Sequence, residues 1–144
     1  MACRAFAKTT GGKGLHVVVP LQPKLGWDEA KNFTKWVADQ IVAQSPEAFT
    51  ANQTKRARRG RIYIDYLRNS RGATAIGAYS PRARPGAPVS TPLFWEEVEK
   101  SVRPEGFTVA TVPQRLAALE QRSVGRDRRA SPVDQCRGAA ANGS

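Results

Sequence analysis

An α+β fold is what this sequence predicts: a mostly antiparallel sheet, flanking helices and a disordered basic C-terminal tail. Three observations carry that expectation. Short β-rich runs recur at Leu15–Leu21, Arg61–Tyr66 and Ala73–Tyr79. An amphipathic segment of helical period separates the first two, and beyond Glu120 the apolar pattern stops.

The first run is rich in valine and reads as a strand, ended by Pro20 and the turn at Pro23. From Asp28, a candidate N-cap, to about Ala43, the apolar residues Phe33, Val37 and Ile41 recur every four positions, with Ala30 and Trp36 beside them. That spacing predicts a helix stopped ahead of Pro46. Thr54–Gly60 is a basic loop. In Arg61–Tyr66, alternation assigns Ile62, Ile64 and Tyr66 to one face and Arg61, Tyr63 and Asp65 to the other. Asn69–Gly72 has the composition of a turn, and Ala73–Tyr79 forms a third short strand. Pro81, Pro85, Pro88 and Pro92 then exclude regular structure until Thr91 caps a short helix with Pro92 at its first position. A last helix starts at Pro113 and runs through Leu116 and Leu119. The residues after Glu120 are mainly Arg, Ser, Gly and Ala and read as disordered.

At 144 residues the chain has the size of one domain and holds no internal repeat. Its 23 Lys and Arg against 12 Asp and Glu give a net charge of +11, which favours a polyanionic partner. Cys3 and Cys136 stand at opposite ends and His16 is the single histidine, which argues against a zinc site or a disulfide framework. No apolar run is long enough to cross a membrane, and no signal-peptide pattern is visible. A reduced cytosolic protein is the expectation.

The most informative stretch is Thr9-Thr10-Gly11-Gly12-Lys13-Gly14-Leu15-His16. Glycines let a backbone approach an anion closely, and Lys13 adds a point charge suited to phosphate. It is not a P-loop, because Lys13 is followed by Gly14 and then a β-branched run instead of by Ser or Thr opening a helix. The pattern points to a phosphate or nucleotide contact at the start of a strand. Asp65, inside an apolar strand, needs a partner: a salt bridge to Arg61 or Arg68, or a divalent cation. Arg82 and Arg84 lie in a segment stiffened by prolines and read either as a solvated charged loop or as a pair of guanidinium forks for phosphate. His16 by itself reads equally as an edge histidine.

Three segments, Lys8–Val17, Gly60–Asn69 and Tyr79–Leu93, in this order closely resemble the polymerase domain of bacterial ATP-dependent DNA ligase D. That domain belongs to the archaeo-eukaryotic primase superfamily and works in non-homologous end joining. The resemblance runs from about Phe6 to about Glu120 and includes Phe107–Pro113. It implies a partial primase-polymerase domain over residues 1–120, followed by the basic tail 121–144. By resemblance, Thr10, Gly11, Gly12, Lys13 and His16 contact the phosphates of an incoming nucleotide. Asp65 is implied as a catalytic metal ligand for Mn2+ or Mg2+, with His16 beside it in the catalytic set. Arg82 and Arg84 are implied to approach nucleotide and DNA. The implied chemistry is two-metal nucleotidyl transfer at DNA ends, with ribonucleotides commonly preferred, in the bacterial cytoplasm at the nucleoid.

Two departures from the family pattern modify that expectation. Thr10 stands where the family usually has serine. The Asp-x-Asp pair that precedes the glycine loop in the family has no counterpart, since none of the 12 carboxylates forms such a pair. The chain therefore resembles roughly the C-terminal half of the domain and is expected to be inactive alone, its partner being a missing N-terminal half or a ligase domain. The alternative is a non-catalytic basic module for nucleotide or nucleic acid, or a degenerate gene product. The three strands are expected to share one sheet with the helix on one face, His16 and Asp65 opening on the same side. The arginines from Arg122 to Arg137 are expected to add nonspecific DNA binding.

Overall fold

The computed structural model describes residues 5–21, 24–100 and 102–124. In chain order the elements are β1 (Phe6–Thr9), β2 (Leu15–Val18), α1 (Trp27–Gln44), β3 (Phe49–Thr50), β4 (Ile62–Tyr63), β5 (Pro92–Leu93), α2 (Trp95–Glu99), a 3-10 turn (Pro104–Gly106) and α3 (Val112–Val124). The described residues fall into two compact units, one drawn from within 1–21 and 76–144, the other from within 22–75. Among the described residues no helix is long and apolar enough to cross a membrane.

The first unit is built on an antiparallel sheet of order β2-β1-β5. Its register pairs Phe6 with Val18, Ala7 with Val17, Lys8 with His16 and Thr9 with Leu15. Directly opposed residues share a face. Lys8 and His16 therefore lie on one face, and Ala7, Thr9, Leu15 and Val17 on the other. Phe6, Ala7, Val89, Leu93 and Val112 are buried, whereas Leu15 and Val17 on the edge strand stay exposed. Arg115 of α3 forks onto Glu97 of α2, with Nη2 2.7 Å from Oε2, and its guanidinium lies over the Phe107 ring. This half-buried, bidentate pair ties the two helices together.

Several expected elements are reassigned. The strand expected over Leu15–Leu21 ends at Val18. Its central partner, β1, has no clean alternation because Lys8 and Thr9 interrupt it, so apolar periodicity gives no sign of it. Ala73–Tyr79 is not a strand. Residues 73–77 have no regular structure and Ala78–Tyr79 form a turn, where Tyr79 sits at φ 61° and its N–H donates to Ser90 O. Thr91 caps no helix: Pro92 and Leu93 pair with β1, and the helix starts at Trp95 with Phe94 as N-cap. Proline fits there because an edge strand tolerates its missing N–H. The last helix starts at Val112 and continues to Val124, past the expected end at Glu120. The rest of the expected tail lies outside the described residues.

In the second unit α1 begins at Trp27, not after an Asp28 cap. Gly26 is the N-cap, and Glu29 reaches back to accept its N–H at 2.7 Å. The side turned inward runs through Ala30, Thr34, Val37, Ala38 and Val42, with Ala38 fully buried. Phe33, Trp36 and Ile41, expected in the apolar stripe, are exposed, the first two stacking on each other with centroids 6.4 Å apart. The reason is what the unit offers to pack against. It is the short pair β3 and β4, which runs parallel, Phe49 opposite Ile62 and Thr50 opposite Tyr63. The expected strand Arg61–Tyr66 shrinks to those two residues. The three predicted strands thus do not share one sheet: one lies in the antiparallel sheet, one in the parallel pair, and one is no strand.

Candidate functional site

The glycine loop joins β1 to β2 as a tight hairpin. Thr10 closes it twice, its N–H and its hydroxyl both donating to Gly14 O at 3.1 Å. That leaves Gly11, Gly12 and Lys13 at the turn. Gly11 takes φ 63°, the left-handed region that favours glycine. Among the described residues no hydrogen bond uses the N–H of Gly11, Gly12 or Lys13, although Gly11 is buried and Gly12 half-buried. A buried N–H without an acceptor is costly. Lys13 is exposed at the tip.

Arg82 and Arg84 come back across the chain to this loop. Arg82 Nη1 donates to Thr10 O at 3.4 Å. A Cβ placed on Gly11 would sit 3.0 Å from Arg82 Cγ and Cδ, and one on Gly12 would sit 3.3 Å from Arg84 Nη1. Two guanidiniums therefore lie directly against the glycines that sequence reading paired with them.

The approach has a local cause. Arg84-Pro85-Gly86-Ala87 forms a type II turn, with Gly86 at φ 80° and Ala87 N–H on Arg84 O at 2.9 Å. Around it a hairpin closes through Arg82 N–H on Pro88 O and Ser90 N–H on Ser80 O. The base of that hairpin is fastened to β1 at Thr9, the residue before the loop. Thr9 Oγ1 donates to Val89 O at 3.1 Å and accepts from Thr91 N–H at 2.8 Å, while Ser90 Oγ donates to Thr9 O at 2.6 Å. Lys8 Nζ joins in, donating to Ile76 O at 2.6 Å and Ser90 Oγ at 3.2 Å, and burial lowers its pKa. Thr9, Ser90 and Thr91 are completely or almost completely buried. Sequence reading missed these positioning residues. Buried hydroxyl pairs across some 80 positions leave no periodic signal.

His16 is half-buried on β2, in register with Lys8. Asp65 belongs to the second unit and lies outside any strand. Its carboxylate is exposed, Oδ1 accepting Leu67 N–H at 3.1 Å and Oδ2 standing 3.9 Å from Arg68 Nε. The strand burial that seemed to demand a partner is absent, so the aspartate caps a turn as short polar side chains commonly do. Arg61 goes elsewhere, to Pro46 O. Among the described residues no three His, Cys, Asp or Glu side chains gather where they could hold a metal ion. The described carboxylates therefore do not fit a two-metal centre by themselves.

An apolar hollow of about 250 Å³ opens elsewhere in the first unit, lined by Phe6, Val18, Phe94 and Trp95 among others. Its charged walls are Lys8, already engaged, and Glu96, so phosphate is better served at the glycine loop.

The comparisons agree with the motifs. A family model described as LigD, primase-polymerase domain, matches residues 1–122. The multifunctional non-homologous end joining protein LigD of Pseudomonas aeruginosa is 46% identical over 119 residues, which is 83% of this chain and 14% of that protein. The bifunctional non-homologous end joining protein LigD of Bacillus subtilis is 34% identical over 113 residues, 78% of this chain and 18% of that protein. The solved polymerase domain from Mycobacterium tuberculosis ligase D, in complex with DNA, superposes with a TM-score of 0.75 at 31% identity, covering 81% of this chain and 40% of that one. The chain thus spans less than a fifth of these curated relatives and under half of the solved domain.

Proposed function

Since the chain belongs to the LigD primase-polymerase domain family and spans only part of its relatives, we propose that it is the nucleotide-phosphate-binding portion of a DNA-end polymerase domain. The observation that carries this reading is the convergence on one loop of partnerless N–H groups at Gly11–Lys13 and the guanidiniums of Arg82 and Arg84. Backbone N–H groups and arginine forks are the two devices proteins most often use to hold phosphate oxygens. Lys13 adds charge at the rim, and His16 edges the site from the strand. Thr10 acts by closing the loop.

Binding and turnover make different demands on the chain. Two divalent ions need several carboxylates to offset their repulsion and fix their geometry. Among the described residues no group of carboxylates offers that, Asp65 is a single exposed carboxylate, and the sequence holds no Asp-x-Asp pair. The chain alone is therefore expected to bind triphosphate without extending a primer. The experiment is primer extension on gapped DNA with Mn2+ and ribonucleotides, beside an ATP titration of the same preparation. Saturable ATP binding with no extension is the expected pair of results. Extension by the chain and its loss in Asp65→Ala would mean that other residues complete a metal centre, and absence of binding would remove the phosphate reading.

A further inference from the structure

Among the described residues six take a positive φ. Four are glycines, Gly11, Gly60, Gly72 and Gly86; the other two are Tyr79 at 61° and Ala87 at 42°. A side chain in that left-handed region crowds the backbone, so glycine is the ordinary choice there. The two exceptions stand at the two ends of one short segment, residues 80–86, which carries both Arg82 and Arg84. Strain of this kind persists where the surroundings over-determine the backbone, and it gathers at ligand clamps.

Both ends are over-determined. Tyr79 N–H donates to Ser90 O at 2.6 Å, and Ser90 N–H returns a bond to Ser80 O at 3.0 Å. Ala87 N–H donates to Arg84 O at 2.9 Å, and Ala87 O accepts Val109 N–H at 3.2 Å. Arg84 N–H in turn donates to Arg82 O at 2.8 Å, so the backbone at Ala87 is linked through hydrogen bonds to both arginines. Beyond it, Arg84 Nη1 stands 3.3 Å from where a Cβ on Gly12 would lie. Nothing in these bonds calls for a methyl group at position 87, since glycine would make all of them and relieve the strain. The methyl does one thing that glycine does not. It confines the backbone to one narrow left-handed well, whereas glycine beside Gly86 would let the arginine turn swing.

We propose that Ala87 is a positioning residue for the triphosphate site: its strained backbone fixes Arg84, and through it Arg82, against the glycine loop before ligand arrives. This role rests on the reading of the loop as a triphosphate site. Order already present in the free chain does not have to be imposed on binding, and that is how such a residue raises affinity.

The test compares Ala87→Gly and Ala87→Asn with the wild-type full chain by ATP titration, thermal melts, and 15N order parameters of the Arg82, Ala83 and Arg84 amides without ligand. Asparagine tolerates the left-handed region yet keeps a Cβ, so it eases the strain and preserves the confinement. Ala87→Gly is expected to weaken ATP binding about threefold to tenfold, the effect of ordering one arginine-bearing turn at the moment of binding. Its melting temperature should stay at the wild-type value or rise, and its order parameters should drop from about 0.85 towards about 0.6. Ala87→Asn should keep the wild-type affinity and order parameters. A purely structural role would not weaken binding while stability holds or rises. Unchanged ATP affinity in Ala87→Gly overturns the proposal. So does a lower melting temperature in that variant, or an equal loss of affinity in Ala87→Asn, which would assign the effect to contacts of the methyl group. A wild-type chain that binds no ATP would instead defeat the triphosphate reading, and the order parameters alone would then decide whether Ala87 confines the arginine turn.

Discussion

Replacing Arg82 and Arg84 together with alanine should lower affinity for a nucleoside triphosphate by about tenfold to a hundredfold. A hydrogen bond to a charged group contributes about 1.5–3 kcal/mol, and two guanidiniums at a partly exposed site fall short of twice that because solvent screens them. The structure gives the substitution a sharp consequence, since Arg82 Nη1 reaches Thr10 O and Arg84 Nη1 lies beside Gly12. The stability cost should be small. The hairpin that carries the arginines is closed by backbone bonds, Arg82 N–H on Pro88 O and Ala87 N–H on Arg84 O, which alanine keeps. An ATP titration monitored by calorimetry, with thermal melts of both proteins, reads the two effects separately. Unchanged ATP affinity in the double variant would make the arginines a solvated charged loop.

Gly11→Ala should have the second large effect, and it should act on fold and binding together. A non-glycine residue at φ 63° costs about 1–2 kcal/mol. Its new Cβ would also meet Arg82 Cγ and Cδ at 3.0 Å and Pro88 O at 3.2 Å. The arginine stem can swing away, but doing so removes its guanidinium from the loop. Triphosphate affinity is therefore expected to fall about as far as in Arg82→Ala, along with a lower melting temperature. Gly86→Ala is the control. It bears a similar backbone penalty at φ 80° with nothing within 4 Å of the added methyl, so it should lower stability and leave binding nearly intact. Equal losses of binding in both variants would deny Gly11 a role of its own.

How much of this was legible in the sequence varies by element. The glycine loop, the strand after it and the helix ahead of Pro46 could be read directly, because glycine spacing, β-branched runs and a helical period are local signals. The pairing of the glycine loop with Arg82 and Arg84 came from the family resemblance, not from any local pattern. The structure supplies its cause in the buried hydroxyls of Thr9, Ser90 and Thr91. Strand β1 was invisible because a short central strand holding a lysine and a threonine lacks alternation. The exposure of Phe33 and Trp36 could not be read either. A helical stripe records which side chains are apolar, and only the partner, here the pair β3–β4, decides which of them it covers. Asp65 was placed in a strand by alternation, yet the strand stops two residues earlier and the carboxylate turns to its own backbone.

The proposed triphosphate site is the glycine loop with its two arginines. The most direct measurement is the amide spectrum of the 15N-labelled chain as GTP is added. Saturable shifts are expected at the N–H groups of Gly11, Gly12 and Lys13 and at the Nε–H groups of Arg82 and Arg84, with little change over Lys55–Arg61. Shifts confined to the Lys55–Arg61 turn, or none at the glycine loop at concentrations where GTP binds, would contradict it.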